Sequence, residues 1–168
     1  MTRILLACMA LAFVFTSCEP RSQKAAEYND SIISHQIAIS DAFDALDTTF
    51  NDYVAEDMDY AHLMLRSKIE TGQRVLDTLG NFKNDDVLLK AARELFLFYE
   101  DISTAEYIEM INIMKIPDSL YSQEDQESAS TVETKIISRF TGAQKEFTDI
   151  QVEFGEKYNV LFVEDEEE

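Results

Sequence analysis

Tryptophan is absent from this chain, and proline and glycine number only two and four in 168 residues. So few chain-breakers leave room for long uninterrupted helices. Cations are scarce as well: 14 lysines and arginines stand against 33 aspartates and glutamates, for a formal charge of −19. A chain this acidic is repelled by nucleic acid and by anionic headgroups, which excludes the first as a partner and excludes charge as a means of holding the second. The four glycines are isolated, so no phosphate-cradling loop and no Gly-x-Ser-x-Gly elbow is present. Neither is there a Cys-x-x-Cys-His sequence for haem attachment. Met58 and His62 sit one turn apart on one helix and cannot reach opposite faces of an iron. The expectation is a non-enzymatic protein without a cofactor.

What is present begins at the N-terminus. Arg3 precedes an uncharged apolar run, Ile4 to Phe15, and Thr16-Ser17 lead to Cys18. Charge, apolar stretch and small residues in that order form a secretory signal. At about 12 residues the run falls short of the roughly 20 that span a bilayer. Two cysteines compete for lipid. Leu5-Leu6-Ala7-Cys8 matches a lipobox locally but has only four apolar residues before it. Phe15-Thr16-Ser17-Cys18 has the full apolar stretch upstream and a polar break, Glu19-Pro20-Arg21, after it. Residues 1–17 are therefore read as a lipoprotein signal peptide, Cys18 as the acylated residue and 18–24 as a short tether. The alternative is a plain secreted protein with Cys18 as a small buried residue. Its sole remaining cysteine would form no intramolecular disulfide. Losing Arg3 with the signal takes the charge from −19 to −20, so lipid alone would hold the mature chain to a membrane. The outer membrane is the expected location, with its periplasmic face and the cell surface both open.

The remaining 151 residues suffice for one domain with a real core. Apolar residues recur at helical steps in four stretches. The first carries Tyr28, Ile32, Ile39, Phe43, Leu46, Phe50 and Tyr53; the second runs from about Asp57 to Leu79, with Gly80 and Asn81 as its stop. Asn84 is the expected cap of a third helix that continues to Ile116, where Pro117 ends it. Ser122 and Asp125 have capping-box spacing at the start of a fourth, whose stripe runs Val132, Ile136, Phe140, Ala143, Phe147, Ile150, Phe154, Tyr158. Four amphipathic helices with short connections predict an all-α fold, an up-down-up-down antiparallel four-helix bundle over residues 25–160. Residues 161–168, ending Glu-Asp-Glu-Glu-Glu, read as a solvated acidic tail.

A lipidated cysteine followed by Ala26-Glu27-Tyr28-Asn29-Asp30-Ser31-Ile32 resembles an uncharacterised family of bacterial surface lipoproteins that share a Tyr-Asn-Asp-x-Ile start to the first helix. The stretches Leu95–Tyr99 and Tyr107–Met110, and the Glu153-Phe154 and Tyr158-Asn159 ending, resemble it too. The resemblance implies a helical bundle at the bacterial surface or in the periplasm. It implies no chemistry.

Three candidate sites remain. Folding the second, third and fourth helices about turns near residues 82 and 119 sets Asp59, His62, Glu106 and Glu133 in one layer at the membrane-distal end. This layer is the candidate for a small ligand or metal, the alternative to an interaction or structural role. Against it, a carboxylate di-metal bundle needs two Glu-x-x-His motifs and this chain has a single Asp-x-x-His. His35 lies about 20 Å away along the helices, so it cannot join His62 on one ion. The second candidate is an extra apolar stripe on the third helix, Leu89, Phe96, Tyr107 and Met114. It is either a wide core contact or an exposed face for a protein partner. Finally, Ser31, Thr48, Thr78 and Ser119 each follow an aspartate, like the acceptors of some periplasmic O-glycosylation systems. Such pairs also collect at caps and turns for purely local reasons.

Overall fold

The computed structural model describes residues 21–52 and 54–160. The signal, Cys18 and the acidic tail lie outside the described residues. Five helices follow in order: α1 (Arg21–Asp52), α2 (Ala55–Thr78), α3 (Val87–Thr104), α4 (Glu106–Met114) and α5 (Gln123–Tyr158). The fold is all-α; among the described residues the only β pairing is an isolated bridge between Phe82 and Asp85. Among those residues no helix is long and apolar enough to cross a membrane. Residues 21–24, expected in the tether, are already helical.

Helix α1 packs on α2 and α5, α2 on α3, and α3 and α4 on α5. The shared core follows the sequence stripes: Ile32, Ile39 and Leu46 from α1, Leu65 and Leu76 from α2, and Phe96, Tyr99 and Ile102 from α3 are all buried. Each such side chain contributes roughly 1.5–3 kcal/mol over its exposed state. Aromatic rings gather in two places. Tyr28, Phe82, Phe154 and Tyr158 meet where α1 and α5 approach the α2–α3 turn, with Phe82 edge-on to Tyr158 at 4.9 Å. Phe43, Tyr99, Tyr107 and Phe140 meet in the middle, Phe43 lying edge-on to Phe140 at 4.9 Å. Gly72 is the point of closest approach, since a Cβ there would stand 2.6 Å from Phe96 Cε2.

The stop and start signals between α2 and α3 work differently from the expectation. Helix α2 ends at Thr78 with Leu79 extended, and no glycine among the described residues has positive φ. The reversal is made by Lys83 (φ 51°) and Asn84 (φ 66°) in the left-handed region. Asn84 therefore turns the chain and does not cap α3. Asp86 is the N-cap residue, and Asp85 Oδ1 accepts from the Val87 amide at 3.2 Å. At the start of α5 the expected capping box is present: Ser122 Oγ accepts from the Asp125 amide at 3.2 Å and Asp125 Oδ2 from the Ser122 amide at 2.8 Å. Gly155 is buried within α5, which stops at the left-handed Asn159.

The third stretch is not one helix. It breaks at Ala105, with φ −108° and ψ −84°. Hydroxyls of Ser103 and Thr104 both bond the Glu100 carbonyl, at 2.8 and 2.9 Å, and such back-bonding competes with the helical ladder. His62 Nε2–H donates to the Ser103 carbonyl at 2.8 Å, occupying the acceptor that a continuous helix would use one turn later.

Candidate functional site

Past the break, α4 leans on α5 and reaches α1 through the ring of Tyr107, which packs on Phe43 at 5.0 Å and Phe50 at 6.4 Å. Tyr107 Oη donates to Asp47 Oδ2 at 3.3 Å. Beyond this contact a groove of about 650 Å³ opens between the end of α1, α4 and the first half of α5. Phe50, Met110, Met114 and Ile136 supply apolar walls, Ala129 and Ser130 lie along α5, and Asp47 and Glu133 add two carboxylates. A second hollow, lined by Met114, Ile116, Asp118, Tyr121 and Gln126, continues it toward the α4–α5 turn. The volume lies in the range of ligand-binding clefts, but the lining is about as polar as it is apolar, with Asn51, Gln126 and Ser130 beside the two carboxylates. Ile137, on the rim, is 59% exposed.

Among the described residues no cation pairs with Asp47 or Glu133. Asp47 is exposed as a residue, but desolvation at its carboxyl pushes it up to about 6; the Tyr107 hydrogen bond opposes this, and repulsion from Asp44 and Glu133 adds to it. Burial and the Asp47 charge in turn push the Tyr107 phenol up, so it remains a donor. The groove thus offers apolar contact beside uncompensated negative charge.

The expected layer of Asp59, His62, Glu106 and Glu133 is not assembled as a ligand set. Asp59 pairs with Lys115. His62 is engaged by the Ser103 carbonyl. Glu106 is 2% exposed and faces Lys135 (2.9 Å) and Arg139 Nη1 (2.6 Å) instead of Val132 and Glu133. Burial alone would raise its pKa, but the two cations together hold it below the usual range. Arg139 Nη2 also reaches Asp101 at 2.6 Å, and its guanidinium lies 5.4 Å over the Phe98 ring. Only Glu133 lines the groove. Simple folding about turn centres fails here because it takes α3 and α4 as one straight rod. Among the described residues no three His, Cys, Asp or Glu side chains converge on a position fit for a metal.

The extra stripe of the third stretch is mostly core. Leu89, Phe96 and Tyr107 are at most 2% exposed and belong to the core, whereas Met114 is half-buried and lines the groove. The turn at Ala105 rotates α4 and allows both stripes to be covered. Of the glycan candidates, Ser31 is half-buried inside α1 and bonds the Tyr28 carbonyl at 2.7 Å. Thr48 and Thr78 are exposed near the ends of α1 and α2, bonded to the Asp44 and Val75 carbonyls, and Ser119 is exposed in the α4–α5 turn.

Asp47 and Tyr107 went unmarked as a pair. A signal was available: Asp47 stands four residues after Phe43 and three before Phe50, so a carboxylate continues an apolar stripe. No protein-family model, curated protein or solved structure matches the chain.

Proposed function

We propose that the chain is an exported lipoprotein, acylated on Cys18 after loss of residues 1–17, whose helical domain works by binding a partner and not by catalysis. The domain is an up-down-up-down antiparallel four-helix bundle, with α3 and α4 together as its third helix. Support comes from the contacts at one end, where Arg21 lies 5.0 Å over the Tyr158 ring and Phe82 packs on both Tyr28 and Tyr158. The outer membrane is the proposed location, on the motif resemblance at Tyr28-Asn29-Asp30 alone.

The observation that carries the binding reading is the groove beside Asp47 and Glu133. It lies toward the other end of α1 from the lipid, roughly 39 Å along the helix from Arg21 to Asp47 at about 1.5 Å per residue. A site raised clear of the headgroups is placed for a partner in solution or on a facing surface.

Two measurements test this. Cys18→Ser is expected to release the chain from the membrane fraction and remove the acyl mass, while Cys8→Ser changes neither. A photo-crosslinking residue at position 137 in living cells is expected to give discrete adducts that the same residue at position 56, on α2, does not. Acylation unaffected by Cys18→Ser defeats the anchor. Equal adducts at both positions, or none, defeat the groove as the working surface.

A further inference from the structure

The groove has a direction as well as a composition. Its α5 wall runs from Gln126 through Ala129, Ser130 and Glu133 to Ile137, so it follows about 11 residues, or roughly 16 Å, of helix. Ala129 and Ser130 are small, which lets another backbone come close. Over this first half of α5 only Val132 is fully buried, whereas Phe147, Phe154, Gly155 and Tyr158 are buried in the second half. The trough therefore has the length of two to three helical turns and is open along its side.

Resting on the binding role above, we propose that the trough receives one amphipathic, basic helix of a partner protein. Its apolar residues would lie on Phe50, Met110, Met114 and Ile137, and a lysine or arginine would sit between Asp47 and Glu133. Helix-in-groove recognition uses this pairing of an apolar face with a few fixed charges. Charge selects the occupant. A second copy of the mature chain, with Arg3 lost from the −19 of the full sequence, brings a further −20 and is repelled. A basic helix neutralises two carboxylates that lack a cation among the described residues. Asp44 on α1, Tyr107 on α4 and Glu133 on α5 are the ionisable groups set around Asp47, and two of these three are acids. Binding is expected to be tighter at pH 7.5 than at pH 5, since the Asp47 carboxyl, pushed up to about 6, carries less charge at the lower pH.

The probe is a synthetic peptide of about 14 residues (roughly 21 Å as a helix) built from leucine, alanine and lysine in amphipathic order. One comparison peptide has glutamate for lysine and another has the same composition in shuffled order. Affinity for the full chain is measured by titration calorimetry. The amphipathic basic peptide is expected to bind and the other two to bind weakly or not at all. Ala129→Trp, which fills the trough, weakens binding about tenfold, and Glu133→Gln weakens it about fivefold. Glu56→Gln, an equal change of charge on exposed α2, has no effect. Ile137→Asp, at an exposed rim position, is a second variant that leaves the core untouched. Equal loss with Glu133→Gln and Glu56→Gln, or equal binding of the shuffled peptide, means diffuse attraction to an acidic surface and overturns the proposal. Peptide failure with persistent crosslinks at position 137 overturns the helix as occupant and leaves the binding role standing. Failure of both removes the role itself.

Discussion

At the residue scale, three carboxylates show how burial and partners decide one chemistry in opposite directions. Asp47 is an exposed residue, yet desolvation at its carboxyl, with the like charges of Asp44 and Glu133, pushes it up to about 6. An unfolded aspartate ionises near 3.9. Between these values the folded chain holds more protons than the unfolded one, so stability falls as pH rises through the window and the deficit is complete above it. Because the residue is exposed and its charge partly screened, Asp47→Asn is expected to raise the melting temperature only slightly at pH 7.5 and to leave it unchanged at pH 4. An equal shift at both pH values contradicts the assignment. Asp85 goes the other way: hydrogen bonds from Lys157 Nζ (2.7 Å), from Tyr158 Oη (2.9 Å) and from the Val87 amide hold its carboxyl below the usual range. Its contribution is present above the unfolded pKa and is lost as pH falls through the folded one. Asp85→Ala should cost roughly 1.5–3 kcal/mol in urea unfolding at pH 7, with the loss shrinking in strong acid. Glu106 depends on Lys135 and Arg139. Breaking a buried pair costs roughly 3–5 kcal/mol. Arg139→Met should cost about 2 kcal/mol, less than that figure because Arg139 is partly solvated and Lys135 remains.

At the element scale, the helices were legible in the sequence where one local rule acted alone. Regular steps from Val132 to Tyr158 and the Ser122–Asp125 box located α5, because period and cap agree. Two features escaped because they depend on contacts between elements. At the break before Ala105 the Ser103 carbonyl bonds His62 of α2, a contact that no run of residues 84–116 reveals, although Ser103 and Thr104 were a local signal. The α2–α3 turn places Lys83 and Asn84 at positive φ, against the expectation that Gly80 would take that role. Gly80 has open space around it, whereas Gly72 is the glycine that packing requires. Gly72→Ala gains up to about 1 kcal/mol of helix propensity. The new methyl meets the Phe96 ring, which is fully buried and has nowhere to swing, so overpacking at roughly 1–3 kcal/mol prevails. The variant is expected to unfold at lower urea than the parent. An unchanged or higher midpoint would show that α2 and α3 can separate at little cost.

At the scale of the whole molecule, the proposed lipid on Cys18 and the groove would lie toward opposite ends of α1. The proposed anchor rests on the sequence alone, since signals and lipoboxes are local strings and Cys18 lies outside the described residues. The sequence left the groove unreadable, because Asp47, Tyr107 and Glu133 lie on three helices and meet only through the turn that α4 takes after Ala105. The expected layer of acids rested on straight-rod geometry, and its members do not come together. Asp59, His62 and Glu106 serve structure, and Glu133 alone faces the groove. The most direct measurement uses methyl-labelled methionine and isoleucine in the full chain, titrated with the amphipathic lysine peptide and followed by NMR. The prediction is that Met110, Met114, Ile136 and Ile137 shift together and saturably, while Met64 on the outer face of α2 and Ile39 in the far core stay still. Shifts spread evenly over the acidic surface, or centred on Met64, would contradict it.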